Sequence, residues 1–397
     1  MPLSGRKLWL AGIGGAGMSG YAILAKAWGA EVSGWDRRET PYLEGVREAG
    51  IAVEVSEGPP VAPADAEAFV SSAFAGRIEG ASRAGLLSEL VGLTHSIVVA
   101  GAHGKTTTTA MIAFVLDRLG RDPSFLIGGE IPQLGGNARA GGGWLVVEGD
   151  ESDRSVFSLP ATVAVITNVE LDHHSTFGSD AELGRAFDEW ASGIETVIWG
   201  RDLEPVDFDL GVPGDHNRLN AACALAALEA IDVSREDAQT VLAGFSGAHR
   251  RFELVAEAGG VRLYDDYGHH PSEIAATLAT ARSLVDGGRL LVLFQPHLYS
   301  RTLHLAGELA EALAGADIAA VTDIYPAREE PVPGVTGKLV VDRLAEVRPG
   351  MRVGWAPALH DAAALIQAQA RPGDLLLTIG AGDVDSMLPL LQERLAR

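Results

Sequence analysis

The sequence is almost without cysteine and is poor in basic residues. Cys223 is its single cysteine among 397 residues, which excludes a disulfide framework and a metal site built from several cysteines. It is consistent with a reducing compartment. The chain has 31 Lys and Arg against 53 Asp and Glu, so the formal net charge is −22. So acidic a chain argues against binding to nucleic acid or to an anionic membrane, because both need a basic face.

Long apolar runs are missing as well. No uncharged stretch is long enough to span a bilayer. Arg6 and Lys7, followed by the apolar residues 8–10, imitate a signal peptide, but residues 11–20 contain five glycines and form a poor apolar segment. We therefore expect a cytoplasmic protein. A hydrophobic content of 47% is typical of globular proteins, and the length suggests two or three domains.

Short apolar runs alternate with longer amphipathic stretches through most of the chain. The first of them predict a strand over 7–13, a helix over 18–28 and a strand over 31–36. Further buried strands are predicted over 96–100, 144–148, 163–167, 261–266, 290–295, 318–323 and 375–379. Strands that are apolar on both faces and alternate with helices form parallel sheets, so the pattern predicts an α/β protein.

The same pattern predicts three domains. Glycine-rich turns between a strand and a helix open the first two, over residues 1–93 and 94–246. The strand and helix pattern restarts after Gly247, which predicts a third domain over 247–397.

The first glycine-rich turn, at residues 12–17, reads GIGGAG and lies between a predicted strand and a predicted helix. Glycines let the backbone turn tightly and approach a diphosphate at the helix N-terminus. Asp36 closes the next strand, at the spacing where an acid meets a ribose hydroxyl. Taken alone, the motif indicates NAD binding. The alternative is a turn that needs glycine only for close packing of helix on strand.

The second turn, GAHGKTT at residues 101–107, follows one predicted strand and precedes a helix predicted over 108–119. Backbone amides of such a loop hold phosphates, Lys105 reaches the terminal phosphates, and the hydroxyl of Thr106 binds Mg²⁺. Val99 stands where an ordinary phosphate-binding loop has its first glycine, so this loop is a shortened variant. A chance occurrence of the motif is the alternative.

Acidic and imidazole groups follow the next two strands of this domain. Glu148 begins the stretch EGDESD at the end of one strand, where it offers a further contact to Mg²⁺. His173 lies in TNVELDHH at the end of another and is a candidate metal ligand. The alternatives are a solvated acidic loop and a structural histidine.

Four more stretches carry polar groups. Asn217 and Asn220 stand at a helix start, where either is a candidate N-cap. The pair Arg250 and Arg251 is a candidate phosphate clamp or a plain surface pair. DDYGHHPSE at 265–273 and FQPHLYSRT at 294–302 follow strands, as does GAGD at 380–383. Pro271 suits a first helical turn, so capping explains part of the first of these.

Taken together, these stretches resemble the Mur ligase family over nearly the whole chain and in order. GIGGAGMSG resembles its UDP-sugar loop and GAHGKTTTT its ATP loop. DDYGHHP and FQPHLYSRT are the most specific and point to the branch that adds L-alanine to UDP-N-acetylmuramate in peptidoglycan synthesis.

The resemblance implies an N-terminal Rossmann-like domain for the UDP-sugar, a shortened central P-loop domain for ATP and a C-terminal Rossmann-like domain that brings the amino acid. It implies ATP and Mg²⁺ as cofactors, UDP-N-acetylmuramate and L-alanine as substrates, and an acyl-phosphate intermediate. We expect no nucleic-acid or membrane partner, and a monomer or weak homodimer.

The resemblance also implies roles for individual residues. Catalytic roles fall on Lys105, Asp266, His270, His297 and Arg301. ATP-binding roles fall on Gly101, Ala102, His103, Gly104, Lys105, Thr106, Thr107, Asn217, Arg251 and Asp266. Substrate-binding roles fall on Gly14, Gly15, Ala16, Gly17, Met18, Ser19, Asp36, Ser71, Ser72 and His103. Thr106, Glu148 and His173 are the implied Mg²⁺ ligands.

Three departures from the family pattern bear on activity. Ala102 replaces a usual Thr, and Leu298 replaces a usual Arg, which removes a cation from the region of the substrate carboxylate. His173 and His216 lie 43 residues apart, which is shorter than the family norm and predicts that part of the outer central domain is missing.

Three alternative functions stay open from the sequence. They are an NAD-dependent dehydrogenase, a sister ligase that joins a preformed tripeptide to the same UDP-sugar, and a catalytically impaired relative that only binds the UDP-sugar.

Overall fold

The computed structural model describes residues 1–58, 60–172, 176–327 and 329–396. It divides the chain into two compact units. The first contains residues 1–212 and 217–248, and the second contains residues 213–216 and 249–397.

The first sheet of the first unit is fully parallel, with strand order β3-β2-β1-β4-β5. Its strands are β1 (Lys7–Ala11), β2 (Glu31–Asp36), β3 (Ala52–Val55), β4 (Glu67–Val70) and β5 (Ala81–Ser82). Its helices are α1 (Ala16–Ala27), α2 (Tyr42–Glu48) and α3 (Arg83–Gly92). The strand predicted over 7–13 stops at Ala11, because Gly12 turns the chain with a φ of +80°.

The second sheet of this unit has the order β11-β10-β6-β9-β7-β8, and only β7 and β8 pair antiparallel. Its strands are β6 (Ser96–Ala100), β7 (Ser124–Ile131), β8 (Gly136–Arg139), β9 (Leu145–Glu148), β10 (Val163–Ile166) and β11 (Thr196–Trp199). The helices are α4 (Lys105–Arg118), α5 (Asp180–Ser192), α6 (Asp215–Glu229) and α7 (Arg235–Leu242). Helix α4 begins three residues before the helix predicted over 108–119, because its first turn grows directly out of the loop.

The sheet of the second unit has the order β12-β13-β17-β14-β15-β16, with β12 antiparallel and the others parallel. Its strands are β12 (Glu253–Ala258), β13 (Val261–Asp266), β14 (Leu290–Phe294), β15 (Ile318–Val321), β16 (Arg352–Trp355) and β17 (Leu375–Ile379). Its helices are α8 (Pro271–Leu284), α9 (Tyr299–Leu313), α10 (Lys338–Val347), α11 (Leu359–Gln367) and α12 (Leu388–Leu395).

The central strands are buried on both faces, as their apolar sequences predict. Every residue of β6, β14 and β17 is buried. In parallel sheets of this kind the carboxyl ends of the strands form the usual binding edge. No helix in the described ranges is long and apolar enough to cross a membrane.

Candidate functional site

The glycine loop between β1 and α1 is held by residues that follow the neighbouring strand. Asp36 accepts a hydrogen bond from the Gly14 amide at 2.8 Å, and its other oxygen accepts from the Arg37 amide at 2.7 Å. Thr40 donates its hydroxyl to the Gly14 carbonyl at 2.7 Å. A Cβ at Gly14 would lie 2.7 Å from the Thr40 oxygen, so a side chain has no room there. The Asp36 carboxylate thus positions the loop, and the ribose contact suggested by the sequence stays a prediction.

The first turn of α1 contains four of the predicted substrate residues. Gly15 precedes the helix and is exposed, while Met18 and Ser19 are buried. The Ser19 hydroxyl donates to the Ala16 carbonyl at 3.0 Å. The first amides of any helix have no partner within the helix, so a diphosphate is attracted to such a turn.

Ser71 and Ser72 follow β4 and lie beside the glycine loop. A Cβ at Gly12 would clash with the Ser71 hydroxyl oxygen, so this serine packs directly on the turn. The Ser71 amide donates to the Ala11 carbonyl at 3.0 Å. The fold thus brings both predicted serines next to the glycine loop, although the serines lie about 55 residues after that loop in the chain.

Arg83, which no sequence motif indicated, lies beside these predicted residues. Its Nε donates to the Ser72 hydroxyl at 3.0 Å, and its Nη2 donates to Asp153 at 2.7 Å and to Asp150 at 3.2 Å. A Cβ at Gly17 would lie 3.4 Å from its Nη1. Arg83 therefore joins the neighbourhood of the glycine loop to the acidic loop that follows β9.

The loop between β6 and α4 needs glycine at two positions. Gly101 has a φ of +125°, and a Cβ there would clash with the Thr167 hydroxyl oxygen. Gly104 has a φ of +80° and immediately precedes Lys105, the first residue of α4. Thr107 is buried within the first turn. The loop therefore leads directly into a helix N-terminus, a place that attracts phosphate groups.

The end of β10 supports this loop. The His103 amide donates to the Asn168 side-chain oxygen at 2.9 Å, and the His103 carbonyl accepts from the Thr167 hydroxyl at 2.6 Å. The His103 ring nitrogen Nε2 lies 3.1 Å from a Glu170 carboxylate oxygen. The Ala102 amide donates to the Asn168 carbonyl at 3.3 Å. This backbone support does not use the hydroxyl that Ala102 lacks.

Asn217 and Asn220 do not cap α6, because the helix already begins at Asp215. Both are buried, and the Asn220 amide donates to the Asn217 side-chain oxygen at 3.3 Å. A Cβ at Gly104 would clash with the Asn220 side-chain oxygen. Asn220 therefore packs against the phosphate-binding loop, and its hydrogen bond holds the Asn217 side chain.

Two of the three predicted metal ligands lie together. The Thr106 hydroxyl donates to one oxygen of Glu148 at 3.0 Å, and the other oxygen accepts from the Gly128 amide at 2.7 Å. A hydroxyl and a carboxylate beside a phosphate loop are oxygen donors of the kind that Mg²⁺ prefers. His173, the third predicted ligand, lies outside the described residues.

Lys105 is fully engaged within the protein. Its ammonium donates to the carbonyls of Gly101 at 2.6 Å and Ala102 at 3.0 Å, and to the Glu151 carboxylate at 3.1 Å. Burial raises the pKa of Glu151 to about 6, although the neighbouring Lys105 opposes this rise. At neutral pH the carboxylate is therefore ionised and pairs with the ammonium.

In the second unit, Asp266 at the end of β13 is surrounded by donors. It accepts hydrogen bonds from the amides of Phe252 at 2.9 Å and Gly268 at 2.8 Å, and from the Thr277 hydroxyl at 3.1 Å. Burial raises its pKa to about 6. The carboxylate organises the turn between β13 and α8.

Capping accounts for part of the histidine motif that follows. Pro271 is the first residue of α8, as predicted, and His270 immediately precedes it. The Glu273 carboxylate accepts hydrogen bonds from the His269 amide at 2.9 Å and from the His270 amide at 3.3 Å. The His270 side chain is buried at this helix start.

The adjacent arginines 250 and 251 have different environments. Arg250 donates to the buried carboxylate of Asp265 at 2.9 Å and to the Gly380 carbonyl at 2.6 Å, so it joins β13 to the loop after β17. The guanidinium of Arg251 lies 5.1 Å from the ring centre of Tyr267. The Arg250 guanidinium also lies 5.2 Å from the centre of this ring, whereas Arg251 differs from it in lying 3.9 Å from a Glu273 carboxylate oxygen.

His297 and Arg301 form a second cluster at the carboxyl edge of this sheet. The His297 ring stacks on Tyr325 at 5.8 Å and meets the His269 ring at 5.6 Å between centres. A guanidinium nitrogen of Arg301 lies 3.0 Å from His297 Nδ1. Because guanidinium only donates, Nδ1 is the acceptor, and the neutral ring carries its proton on Nε2.

Leu298 has a backbone conformation that favours glycine. Its φ is +68°, and it is the residue immediately before α9. Its amide donates to the Tyr325 carbonyl at 3.0 Å, and its carbonyl accepts from the Thr302 amide at 3.1 Å. Its half-buried side chain occupies the position where the family pattern has a cation.

The predicted site residues therefore fall into two sets, one in each unit. The glycine loop, the phosphate-binding loop, Glu148 and Asn217 belong to the first unit. Arg251, Asp266, His270, His297 and Arg301 belong to the second. The three sheets, two in the first unit and one in the second, define an α/β protein whose strands are mainly parallel.

Comparison with known proteins gives the family. Family models match in chain order: "Mur ligase family, catalytic domain" over residues 10–93, "Mur ligase middle domain" over 99–204, and "Mur ligase, glutamate ligase domain" over 250–382. The chain belongs to the Mur ligase family and is an enzyme of the ligase class. The dehydrogenase alternative is thereby set aside.

Two curated relatives are named UDP-N-acetylmuramate–L-alanine ligase. The protein from Kineococcus radiotolerans is 40% identical, over 98% of this chain and 97% of its own. The protein from Streptomyces avermitilis is 36% identical, over 97% of each chain. Both alignments extend over 457 residues, more than the 397 of this chain, so these relatives contain segments that have no counterpart here.

Solved structures agree with this fold. UDP-N-acetylmuramate–alanine ligase from Thermotoga maritima matches with a TM-score of 0.81 and 25% identity over 98% of both chains. A murein peptide ligase from Psychrobacter arcticus matches with a TM-score of 0.67 and 24% identity over 99% of both.

Proposed function

We propose that this protein is an ATP-dependent ligase that joins L-alanine to UDP-N-acetylmuramate, a step in peptidoglycan precursor synthesis. The observation that carries the proposal is the pairing of Thr106 with Glu148 beside Lys105, which joins metal-type oxygens to a phosphate-binding loop. The names of the curated relatives support the choice of substrates.

ATP would bind at the loop of residues 101–107. The amides at the start of α4 would hold its phosphates, and Lys105 would contact the β- and γ-phosphates. Asn217 would lie towards the base, and Arg251 and Asp266 would contribute from the second unit.

The residues at this loop fit a magnesium ion. The carboxylate of Glu148 and the hydroxyl of Thr106 are hard oxygen donors, and we propose His173 as the third ligand. Mg²⁺, when bound, would neutralise charge on the phosphates of ATP.

UDP-N-acetylmuramate would bind at the other loop. Its diphosphate would lie on Gly14–Gly17 and the first turn of α1, because a helix N-terminus attracts negative charge. Met18, Ser19, Asp36, Ser71, Ser72 and His103 complete the proposed set. Asp36 would act by holding the loop, since one of its oxygens accepts from the Gly14 amide and the other from the Arg37 amide.

The chemistry would proceed in two steps. A carboxylate oxygen of the sugar substrate attacks the γ-phosphorus of ATP, ADP leaves, and an acyl phosphate forms. The amine of L-alanine then attacks the carbonyl carbon through a tetrahedral intermediate, and phosphate leaves. Positioning and charge neutralisation dominate such transfers, so Lys105, His270, His297 and Arg301 would act by holding charge and orienting the reactants.

We further propose that the protein is cytoplasmic and acts as a monomer or weak homodimer. Its substrates would then be small molecules alone, with neither nucleic acid nor membrane as a partner.

An ADP-release assay tests the proposed reaction. We expect ADP only when UDP-N-acetylmuramate and L-alanine are both present, with less for glycine and L-serine. Release with a preformed tripeptide in place of L-alanine would identify the sister ligase. Binding of the UDP-sugar without ADP release for any acceptor would identify a catalytically impaired relative.

Calorimetry on the whole protein tests the first loop. We expect UDP-N-acetylmuramate to bind and NAD⁺ to give no heat. Binding of NAD⁺ that UDP-N-acetylmuramate does not displace would contradict the assignment of this loop.

A further inference from the structure

Arginines line a cavity at the amino ends of the strands in the second unit. Arg289 immediately precedes β14, Asp317 precedes β15, and Arg352 begins β16. Together with Arg348 and Arg371, they border a cavity of about 440 Å³. The proposed catalytic residues of this unit lie at the carboxyl ends of β13 and β14, which are parallel to β15 and β16, so the cavity lies at the opposite edge of the sheet.

Two of the four arginines are held in place by the protein. Arg289 donates to the buried carboxylate of Asp374 at 2.6 Å and to the Gln369 carbonyl at 2.7 Å. Arg348 donates to the Ala314 carbonyl at 2.7 Å. These bonds fix two guanidinium groups in the wall of the cavity.

The other two arginines have few partners. Nη1 of Arg352 donates to the Gln369 side-chain oxygen at 3.1 Å. The Arg371 amide donates to Asp374 at 2.8 Å, but its guanidinium makes no hydrogen bond or ion pair within the described ranges. Both residues are exposed, so most of their N–H groups remain available to a ligand.

The nearby carboxylates are already neutralised. Asp317 lies 2.9 Å from Arg282 and 3.9 Å from Arg348, and Asp374 pairs with Arg289. The cavity therefore carries positive charge in a chain whose net charge is −22. Like charges that share one concavity repel, and a bound anion would remove this repulsion.

We propose that this cavity binds a small phosphate-bearing anion, at a second site separate from the ligase centre. The planar fork of guanidinium matches the oxygens of phosphate and donates two parallel hydrogen bonds. A cavity of this size falls in the range of ligand sites, about 300–1,000 Å³, and admits a phosphate with an attached nucleoside or sugar. Inorganic phosphate and nucleotides share the recognised group.

The test uses the full chain with Lys105→Ala, which weakens phosphate binding at the ATP loop. Calorimetric titrations with inorganic phosphate, pyrophosphate and ADP are compared with and without the double substitution Arg352→Gln and Arg371→Gln. We expect the double substitution to weaken the anion binding of this protein by at least about tenfold, the effect of losing a charge-assisted hydrogen bond.

Arg343→Gln is the matched control, because Arg343 is an exposed arginine on α10 that pairs with Glu346 and does not line the cavity. It should leave the titrations unchanged. A larger loss of affinity for ADP than for pyrophosphate on the double substitution would mean that the cavity also holds the nucleoside, and equal losses would mean that phosphate alone is recognised. Affinities that the double substitution does not change, or no binding by the parent protein at millimolar anion, would overturn the proposal.

Discussion

The ammonium of Lys105 lies 3.1 Å from the buried carboxylate of Glu151, while its other two hydrogen bonds go to the loop carbonyls of Gly101 and Ala102. All three N–H groups of the lysine are therefore used before any nucleotide binds. A phosphate that approaches this ammonium competes with Glu151. The pair keeps a buried cation neutralised at the place where we propose that the phosphates of ATP bind.

Lys105→Ala should reduce turnover by about 10²–10³ or more, because a positioned cation that stabilises a transferring phosphoryl group typically contributes that much. The measurement is the rate of ADP release at saturating ATP. Lys338→Ala is the control, since Lys338 is exposed and pairs with Asp342 on the surface. A folded Lys105→Ala variant that keeps most of its activity would refute the role of this lysine.

Glu148→Gln should raise the Mg²⁺ concentration that half-saturates the reaction, because an amide oxygen is a weaker ligand for a hard cation than a carboxylate. His173→Ala should act in the same direction. Glu346→Gln, at an exposed glutamate on α10, is the control. Magnesium titration curves that coincide with the wild type would exclude both residues as ligands.

Arg83→Met should lower the melting temperature and raise KM for UDP-N-acetylmuramate about tenfold. The substitution removes the hydrogen bonds to Ser72, Asp150 and Asp153, and leaves two carboxylates without their cation. Thermal unfolding and steady-state kinetics measure the two effects. Arg77→Met, at an exposed arginine nearby in the chain, is the control and should change neither quantity.

Leu298→Arg should increase activity by restoring the cation of the family pattern. A charge-assisted hydrogen bond contributes about 1.5–3 kcal/mol, which is roughly a tenfold to hundredfold effect. A lower KM for L-alanine would indicate that the new arginine contacts the carboxylate of the bound substrate. A higher kcat would indicate that it contacts the tetrahedral intermediate. Leu298→Met is the control for side-chain length. If Arg301 already fills this place, the added charge will slow the reaction instead.

No change in either constant with L-alanine, glycine or L-serine would mean that position 298 does not contact the substrate. The backbone strain at this position is the same for Leu, Met and Arg, because none of them favours a φ of +68°. The comparison therefore isolates the charge.

Asp266→Asn should flatten the pH dependence of stability between about pH 4 and pH 6. Burial raises the folded-state pKa of Asp266 from 3.8 to about 6, so in this window the folded protein binds more protons than the unfolded chain. The contribution of this group to stability therefore falls as the pH rises through the window, by on the order of 1–3 kcal/mol in all. Asparagine does not titrate and removes that slope.

Urea unfolding at several pH values measures the effect of this substitution. An asparagine side chain has one acceptor oxygen where Asp266 has two, so the amide of Phe252 or Gly268 would lose its partner. The variant should therefore be less stable at every pH, and the slope is the informative quantity. Asp342→Asn, at an exposed carboxylate, should keep the slope of the wild type. Parallel curves for Asp266→Asn and the wild type would contradict a raised pKa.

Local sequence patterns predicted the positions of the strands and of the two glycine-rich loops well. β6, β13 and β17 have the predicted bounds, because an apolar run between polar turns is a local signal. Where a loop merges with a helix, the bounds were wrong: α4 begins at Lys105, because the phosphate-binding loop is itself the helix N-terminus. The predicted capping by Asn217 or Asn220 was wrong as well, because α6 already begins at Asp215, and Asn220 instead packs against Gly104.

Contacts across the chain were not predictable in the same way. Arg83 had only a helix start as its signal, and its acidic partners lie about 70 residues further along. The hydrogen bond from Gly14 to Asp36 also joins residues that are distant in the chain. So does the cluster of arginines at the amino ends of β14 and β16.

The sequence by itself determined the family, the strands and the two loops that suit phosphates, because each depends on neighbouring residues and on the order of motifs along the chain. Only the tertiary structure decided what each charged group contacts. Strand order places residues far apart in the chain at one edge of a sheet, and burial makes an unpaired charge costly there. For that reason each of these cations forms an ion pair with a carboxylate from another part of the chain: Lys105 with Glu151, Arg83 with Asp153, and Arg289 with Asp374.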